Sequence, residues 1–550
     1  MSATAQASVS HRDTTEHSSL TGTGTLLRFM LRRDRFRTLA WVAGIGLMGF
    51  YFAHAVQVLA EDQTELVSLS GMFADPVGRM MVGPGYGMDA PTFERFFASG
   101  YALYLYIAMA LFSVFTVIRH TRAEEQTGRA ELIRANVVGR HASLTAAVVF
   151  TDALNLVIAL LLWVAALSAG YAGSGSLLVA AAGLAVGVFF TGVAACAAQL
   201  SQASRGASAM AGGLLGLAFV IRMAGDMTEV GGTTLSWFSP LAWAQQTAPY
   251  VLDRWWPLLL LVGSAVVLGV LGFWLSTRRD VDASLLPTRL GRREAKPWLG
   301  TPWGLAMHTL RGGLRGWGIA LFFVGLMFGS YAQTMLDAAD TLPAEFSQIF
   351  AGEDVMLGYL AYMALFMAVF IAAAGVSGVQ QIRGEESRGR AEYALSVPLS
   401  RTTWFGAHLA VLVLGLVLIL VLTGLGMGLG AVASVEDGGG QYFGELVLAS
   451  VMQLPAVLAT IGIVSLLVGW LPRLASAVGW LVVGYAFVMS TFGSLLDIPD
   501  FLVELNVFHH LAEYPVEEIA WTPVLVLTAI GVVGMLLGLL GFRRREINRI

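Results

Sequence analysis

Twelve apolar runs, each bounded by charge, divide this chain. They fall at 39–60, 99–119, 143–169, 177–200, 208–224, 257–276, 316–336, 358–380, 404–433, 444–470, 475–492 and 522–541. Crossing a bilayer takes roughly 20 apolar residues per helix. Lipid offers the backbone no hydrogen-bond partner, so such runs satisfy themselves as helices. Composition agrees: 56% of the 550 residues are hydrophobic and 13% are charged, against roughly 45–50% and 25% in a soluble domain. The expectation is an all-α polytopic membrane protein with 12 transmembrane helices. A net charge of −4 leaves no basic footprint for nucleic acid.

Charge placement orients the spans. Of the 33 Lys and Arg residues, 29 fall in segments on the face that carries both termini. Only Arg79, Arg95, Arg222 and Arg254 fall on the other. By the positive-inside rule both termini are expected in the cytoplasm, with the chain in a bacterial plasma membrane. The polar, Ser/Thr-rich stretch 1–21 reads as a disordered tail, without the short apolar core of a cleaved signal peptide.

The chain repeats itself. Residues 122–140 (RAEEQTGRAELIRANVVGR) and 383–401 (RGEESRGRAEYALSVPLSR) match at eight of 19 positions at an offset of 261. Residues 205–220 and 473–488 match at eight of 16 at an offset of 268. Both blocks occupy equivalent places in two six-span halves of the same orientation. Tandem duplication follows, with a pseudo-twofold axis along the membrane normal. The halves are 22–276 and 300–550, joined by a cytoplasmic linker at 277–299. Each begins with a basic, apolar stretch, 26–37 or 304–315, suited to a helix lying in the membrane interface.

The first repeated block is a loop between the second and third spans. Glu125 and Arg129 are four apart, as are Glu386 and Arg390, the spacing of a helical ion pair. Glu131 and Glu392 lie six residues beyond those acids, off that face and placed to meet a partner. Acids repeated at fixed spacing suggest a docking surface. The single lysine, Lys296, lies in RREAKPW, not in the Gly-x-x-x-x-Gly-Lys-Ser/Thr context of a phosphate-binding loop. Any ATP dependence therefore comes from another chain. The single cysteine, Cys196, precludes an intrachain disulfide and a Cys-based metal site.

On these residues, and over essentially its whole length, the chain resembles ATP-binding-cassette exporter permeases of type 2. More narrowly it resembles the double-length actinobacterial permeases of polyketide-antibiotic (tetronasin-type) and multidrug exporters. The resemblance implies that 120–142 and 381–403 are coupling helices seated on two copies of a separate ATPase subunit, which holds the ATP and Mg. This chain is then a transport subunit with no cofactor or catalytic residue of its own. The coupling role falls by resemblance on Glu124, Glu125, Arg129 and Glu131, and on Glu385, Glu386, Arg390 and Glu392. The stretches 26–37 and 304–315 resemble the family's connecting helices.

A hydrophobic drug or polyketide-like antibiotic is then expected between the halves, near spans two and five of each. Matching positions are Met109, Phe112, Phe115 and Phe219, with Phe366, Phe370, Tyr485 and Phe487. Their adaptable apolar surfaces suit varied ligands. Asp152 and Asn155 are intramembrane polar residues without counterparts in the second half. Asp152 is placed to pair with Arg140, and Gln333 and Gln453 to bond between helices. The outer segments 224–256 and 493–521 correspond to re-entrant caps in the family. In the latter, His509, His510 and Glu513 lack the third strong ligand a metal site needs. The alternative function is a proton-coupled secondary drug transporter of the major-facilitator type. Its Asp-Arg-x-Gly-Arg loop is absent, and Asp152 is the one buried carboxylate suited to proton coupling.

Overall fold

A computed structural model describes residues 18–60, 63–74, 76–135, 138–280, 283–286, 293–333, 355–435, 439–492 and 500–545. All regular elements among the described residues are helical, and the chain divides into two compact units, Met1–Leu290 and Gly291–Ile550. Eleven helices are long and apolar enough to cross a membrane. The run at 475–492 is the helix Ala475–Phe492, whose apolar portion, Ala475–Ser490, is shorter than the rest. Residues 1–17 of the expected tail, the end of the 316–336 run, and 493–499 of the second outer segment lie outside the described residues.

The first unit opens with the helix Thr23–Arg33. Leu26 and Met30, four apart on one face, pack against Ala142, Ala146 and Phe150 at the start of the third span. Arg28, Leu31 and Arg32 on the other face are exposed. The helix stops at Asp34, and the first span runs from Arg35 to Leu59. The second unit differs: Pro302–Ser330 is one unbroken helix. The separate interfacial helix expected at 304–315 is instead the opening turns of that span. Gly312 stands where Asp34 does when 304–315 is aligned with 26–37, so no anion draws the chain aside.

Two expected connectors prove anchored. The Gly139 and His141 amides donate to the Thr21 and Ser19 carbonyls at 2.9 and 3.0 Å, so the described end of the 1–21 tail is held. The Leu285 and Leu286 amides donate to the Gln199 and Leu200 carbonyls, both at 3.2 Å. The beginning of the 277–299 linker is therefore fixed to the end of the fourth span.

Small residues decide which spans approach closely, as in helices that lack a hydrophobic drive to associate. In the first unit the fourth span, Gly173–Leu200, is 78% buried over its most apolar window, whereas the sixth, Pro257–Thr277, is 17% buried. In the second unit the fourth and sixth spans meet backbone to backbone. A Cβ on Gly534 would stand 2.7 Å from the backbone of Gly462, and one on Gly531 would stand 2.6 Å from that of Leu458. Gly263 has open space around it. Gly534→Leu should therefore lower stability by about 1–3 kcal/mol through overpacking, read as a lower thermal midpoint in detergent. Gly263→Leu should leave that midpoint in place.

Candidate functional site: the loop between spans two and three

The second span of the first unit is continuous from Phe93 to Gln126, with π-helical turns at Phe97–Tyr101 and Arg119–Ala123. The second turn lies where the span leaves the bundle and turns His120, Thr121 and Arg122 inward. Its extra residue per turn re-aims side chains, the usual consequence of a π-bulge at a working site. A chain break follows at Gly128, in the left-handed region with φ 71°, before a short helix Arg129–Arg134. The second unit repeats the break at Gly389, φ 72°, before Arg390–Leu395. A side chain is strained at such an angle, so these glycines set the bend.

The bend overturns the expected ion pairs. Glu125 does not meet Arg129, nor Glu386 Arg390. Each arginine swings back to the first acid of its motif instead: Arg129 lies 3.9 Å from Glu124, and Arg390 2.5 Å from Glu385. Glu124 is also held by Arg33 at 2.8 Å. Arg33 and Glu124 line a cleft shared with Phe29, Ile133, Arg140 and Arg279.

The second acid of each motif is turned inward. Glu125 is 9% exposed and takes Arg279 in a two-pronged bond, 2.9 and 2.7 Å, with Arg122 at 2.7 Å. Arg122 is fully buried, and it also donates to the carbonyls of Ala198 and Ala283. Glu386 is 6% exposed and takes Arg545 at 2.6 Å. Glu131 and Glu392 face outward. Beside them stand two residues that the sequence reading missed, Leu132, 72% exposed, and Tyr393, 81% exposed. These two share the 261-residue offset, which was the available signal.

Asp34 organises the start of the first span. Its carboxylate takes Arg119 at 2.7 and 2.8 Å, with His120 at 3.3 Å. The Arg119 hydrogen bond, outweighing burial, holds its pKa at about 2, below the ordinary 3.8. Its stabilisation is therefore complete above about pH 4 and is lost as pH falls through about 2. Asp34→Asn should remove that contribution at neutral pH and flatten the acid limb of a stability-versus-pH curve.

The expected cavity residues separate into two groups. Met109 is fully buried with its sulfur against Gly183, and Phe112 is buried 5.9 Å from the Trp41 ring. Both sit in core packing. Phe115 is 39% exposed, and the Phe219 ring carries the Arg222 guanidinium at 4.8 Å. In the second unit Phe366, Phe370 and Phe487 form a cluster with ring centres 5.2–5.9 Å apart, joining spans two and five. The Tyr485 hydroxyl donates to the Leu502 carbonyl. Asn155 donates to Ser113 at 2.8 Å, while Arg140 turns from Asp152 to the Thr277 carbonyl at 2.7 Å. Gln453 is buried at the break between two helical stretches of the fourth span. His510 donates to the Glu504 carbonyl, and no group of three possible metal ligands occurs among the described residues.

The sequence counted Arg79 and Arg222 as outer-loop charges, yet both are buried. Arg222 lies 3.4 Å from Asp226 and donates to the Met80 carbonyl at 2.6 Å. Arg79 donates to the carbonyls of Asp226 and Met227, and Ser236 bonds the Asp226 carboxylate at 2.6 Å. Together they fasten 76–82 and the short helix Thr234–Phe238 over the end of the fifth span. The i,i+4 spacing of Arg222 and Asp226 was the readable hint. Asp226→Ala strands a buried cation and should cost about 3–5 kcal/mol, with part recovered in Arg222→Met/Asp226→Leu; detergent thermal unfolding reads both.

Two comparisons bear on what this scaffold does. The profile of a family described as "Multidrug efflux system permease Rv1217c, C-terminal domain" matches residues 24–275 and 299–543. The chain is also similar to the Multidrug efflux system permease protein Rv1217c of Mycobacterium tuberculosis. The identity is 35% over 543 residues, 98% of this chain and 97% of the relative. With its membrane-spanning helices, the chain belongs to the Rv1217c family of multidrug efflux system permeases.

Proposed function

We propose that this permease is the transmembrane subunit of an ATP-driven exporter of hydrophobic drugs or polyketide-like antibiotics. It lies in the bacterial plasma membrane with both termini cytoplasmic. Two copies of a separate ATPase subunit, holding ATP and Mg, dock on the loops at 120–142 and 381–403. The observation that carries this reading is the outward face repeated on each loop. An acid and an adjacent large apolar side chain, Glu131 with Leu132 and Glu392 with Tyr393, stand exposed where aqueous exposure alone favours neither Leu nor Tyr. Tyr is among the residues enriched at interface hot spots, and a partner that covers Leu132 or Tyr393 gains the burial of a large apolar side chain. The lysine usage agrees, since Lys296 sits outside any phosphate-binding loop.

In this mechanism ATP binding closes the two ATPases against each other. Their movement carries the loop helices, and an inward-facing apolar path becomes outward-facing. Aromatic surfaces such as the Phe366, Phe370 and Phe487 cluster offer an apolar ligand adaptable contact. Gentle extraction from the native membrane should bring down a P-loop subunit at two copies per chain. Leu132→Asp with Tyr393→Asp should release it and abolish efflux, since burying either new carboxylate at an interface is strongly unfavourable. Full retention of that subunit by the double variant would overturn the docking assignment. A wild-type chain that runs alone, with transport stopped by collapse of the proton gradient, would overturn the ATP-driven reading.

A further inference from the structure

The inward acid of each loop serves a different purpose from the outward one. In both units its partner is an arginine just past the end of the sixth span. Arg279 follows Pro257–Thr277, and Arg545 follows Trp521–Arg544. The last arginine of the repeated block grips the same helix end. Arg140 donates to the Thr277 carbonyl and Arg401 to the Arg545 carbonyl, each at 2.7 Å. The loop thus holds the C-terminus of the sixth span from both of its ends. A cation bonded to the last carbonyls of a helix is favoured by the helix dipole. A carboxylate–guanidinium bond away from water is among the stronger hydrogen bonds.

We propose that Glu125, Arg140 and Arg279, and Glu386, Arg401 and Arg545, form two clamps that transmit loop movement to the sixth spans. These are positioning residues, not contacts to a partner. The inference rests on the exporter reading above and assigns a path within it. Four positions of the repeated block gain a reason from it: Glu125, Glu386, Arg140 and Arg401 are identical pairs making the same two bonds. Each clamp lies wholly within one unit.

The clamps differ in tightness. In the first unit Arg279 binds both oxygens of Glu125 and also donates to the Gln199 side chain at 2.6 Å, while Arg122 adds a third bond. In the second unit Arg545 reaches Glu386 through one nitrogen. Glu386 Oε1 and Arg545 Nε find no hydrogen-bond partner among the described residues. The second clamp is the looser joint, and the one whose removal least disturbs folding.

The test uses the full chain co-expressed with its ATPase in inverted membrane vesicles. Three quantities are read: ATPase subunits retained, ATP hydrolysed, and ethidium accumulated. Arg545→Met and Glu386→Gln should each lower ethidium accumulated per ATP hydrolysed about tenfold, with the ATPase retained. The exchange Glu386→Arg/Arg545→Glu should recover much of the loss, which a general loss of folding would not allow. Wild-type transport per ATP in both single variants overturns the clamp, as does an exchange variant no better than either. Loss of the ATPase from Glu386→Gln overturns it too, by making Glu386 a docking contact. A wild-type chain that retains no ATPase sinks the exporter reading, and the transmitting role with it.

Discussion

Hydrocarbon accepts no hydrogen bond, and most of this molecule follows from that. The backbone must close on itself in helices, and any polar side chain carried into the bundle must find its partner inside the protein. Arg222 and Asp226 do so with backbone carbonyls and Ser236; Asn155 does so with Ser113. Arg122 is the extreme case, fully buried yet bonded to two carbonyls and a carboxylate. A guanidinium suits such a place because its five donors lie in one plane and it stays charged.

The two units meet the same constraint by different means. The first is held by polar locks: Asp34 with Arg119, Arg222 with Asp226, Arg122 with the ends of the fourth span and linker. Two polar residues of the first unit have no polar counterpart in the second, where Gly312 stands for Asp34 and Leu416 for Asn155. Close backbone approach takes over there, through Gly462 against Gly534 and Gly325 against Thr423. Polar locks have one satisfied arrangement and fail abruptly, because a half-broken buried pair strands a charge. Glycine contacts rest on dispersion and tolerate small sliding. The first unit is thus held by buried polar contacts and the second by close backbone packing.

Much of the fold was legible because lipid makes apolar length a direct signal. The spans fall where the runs fall, and the repeat at offset 261 located both loops. What stayed hidden depended on backbone angle and on distant partners. Periodicity paired Glu125 with Arg129, but a left-handed Gly128 breaks the helix between them. No local pattern announces that Glu125 belongs to Arg279, 154 residues away. Nor does composition tell a buried Arg79 from a solvated one; charge counting treats both as topology. Met109 and Phe112 illustrate the converse, since apolar side chains at span spacing fill cores before they line cavities.

The repeated loop motif resolves into two faces with opposed demands. The proposed docking face must stay exposed until its partner arrives, and Glu131 and Glu392 are exposed. The proposed mechanical link must stay bonded while its surroundings move, and Glu125 and Glu386 are each bonded to an arginine past the sixth span. One acid cannot serve both, because a carboxylate already desolvated against an arginine gains little from a second cation and loses the first if withdrawn. The left-handed glycine between them is what lets a single short segment present both faces. It ends the span, reverses the loop, and sets the inward acid against the sixth span while the next helix shows its acid and its Leu or Tyr to water. On the proposed reading, recurrence of the glycine with both acids at one offset keeps docking and transmission together in each unit.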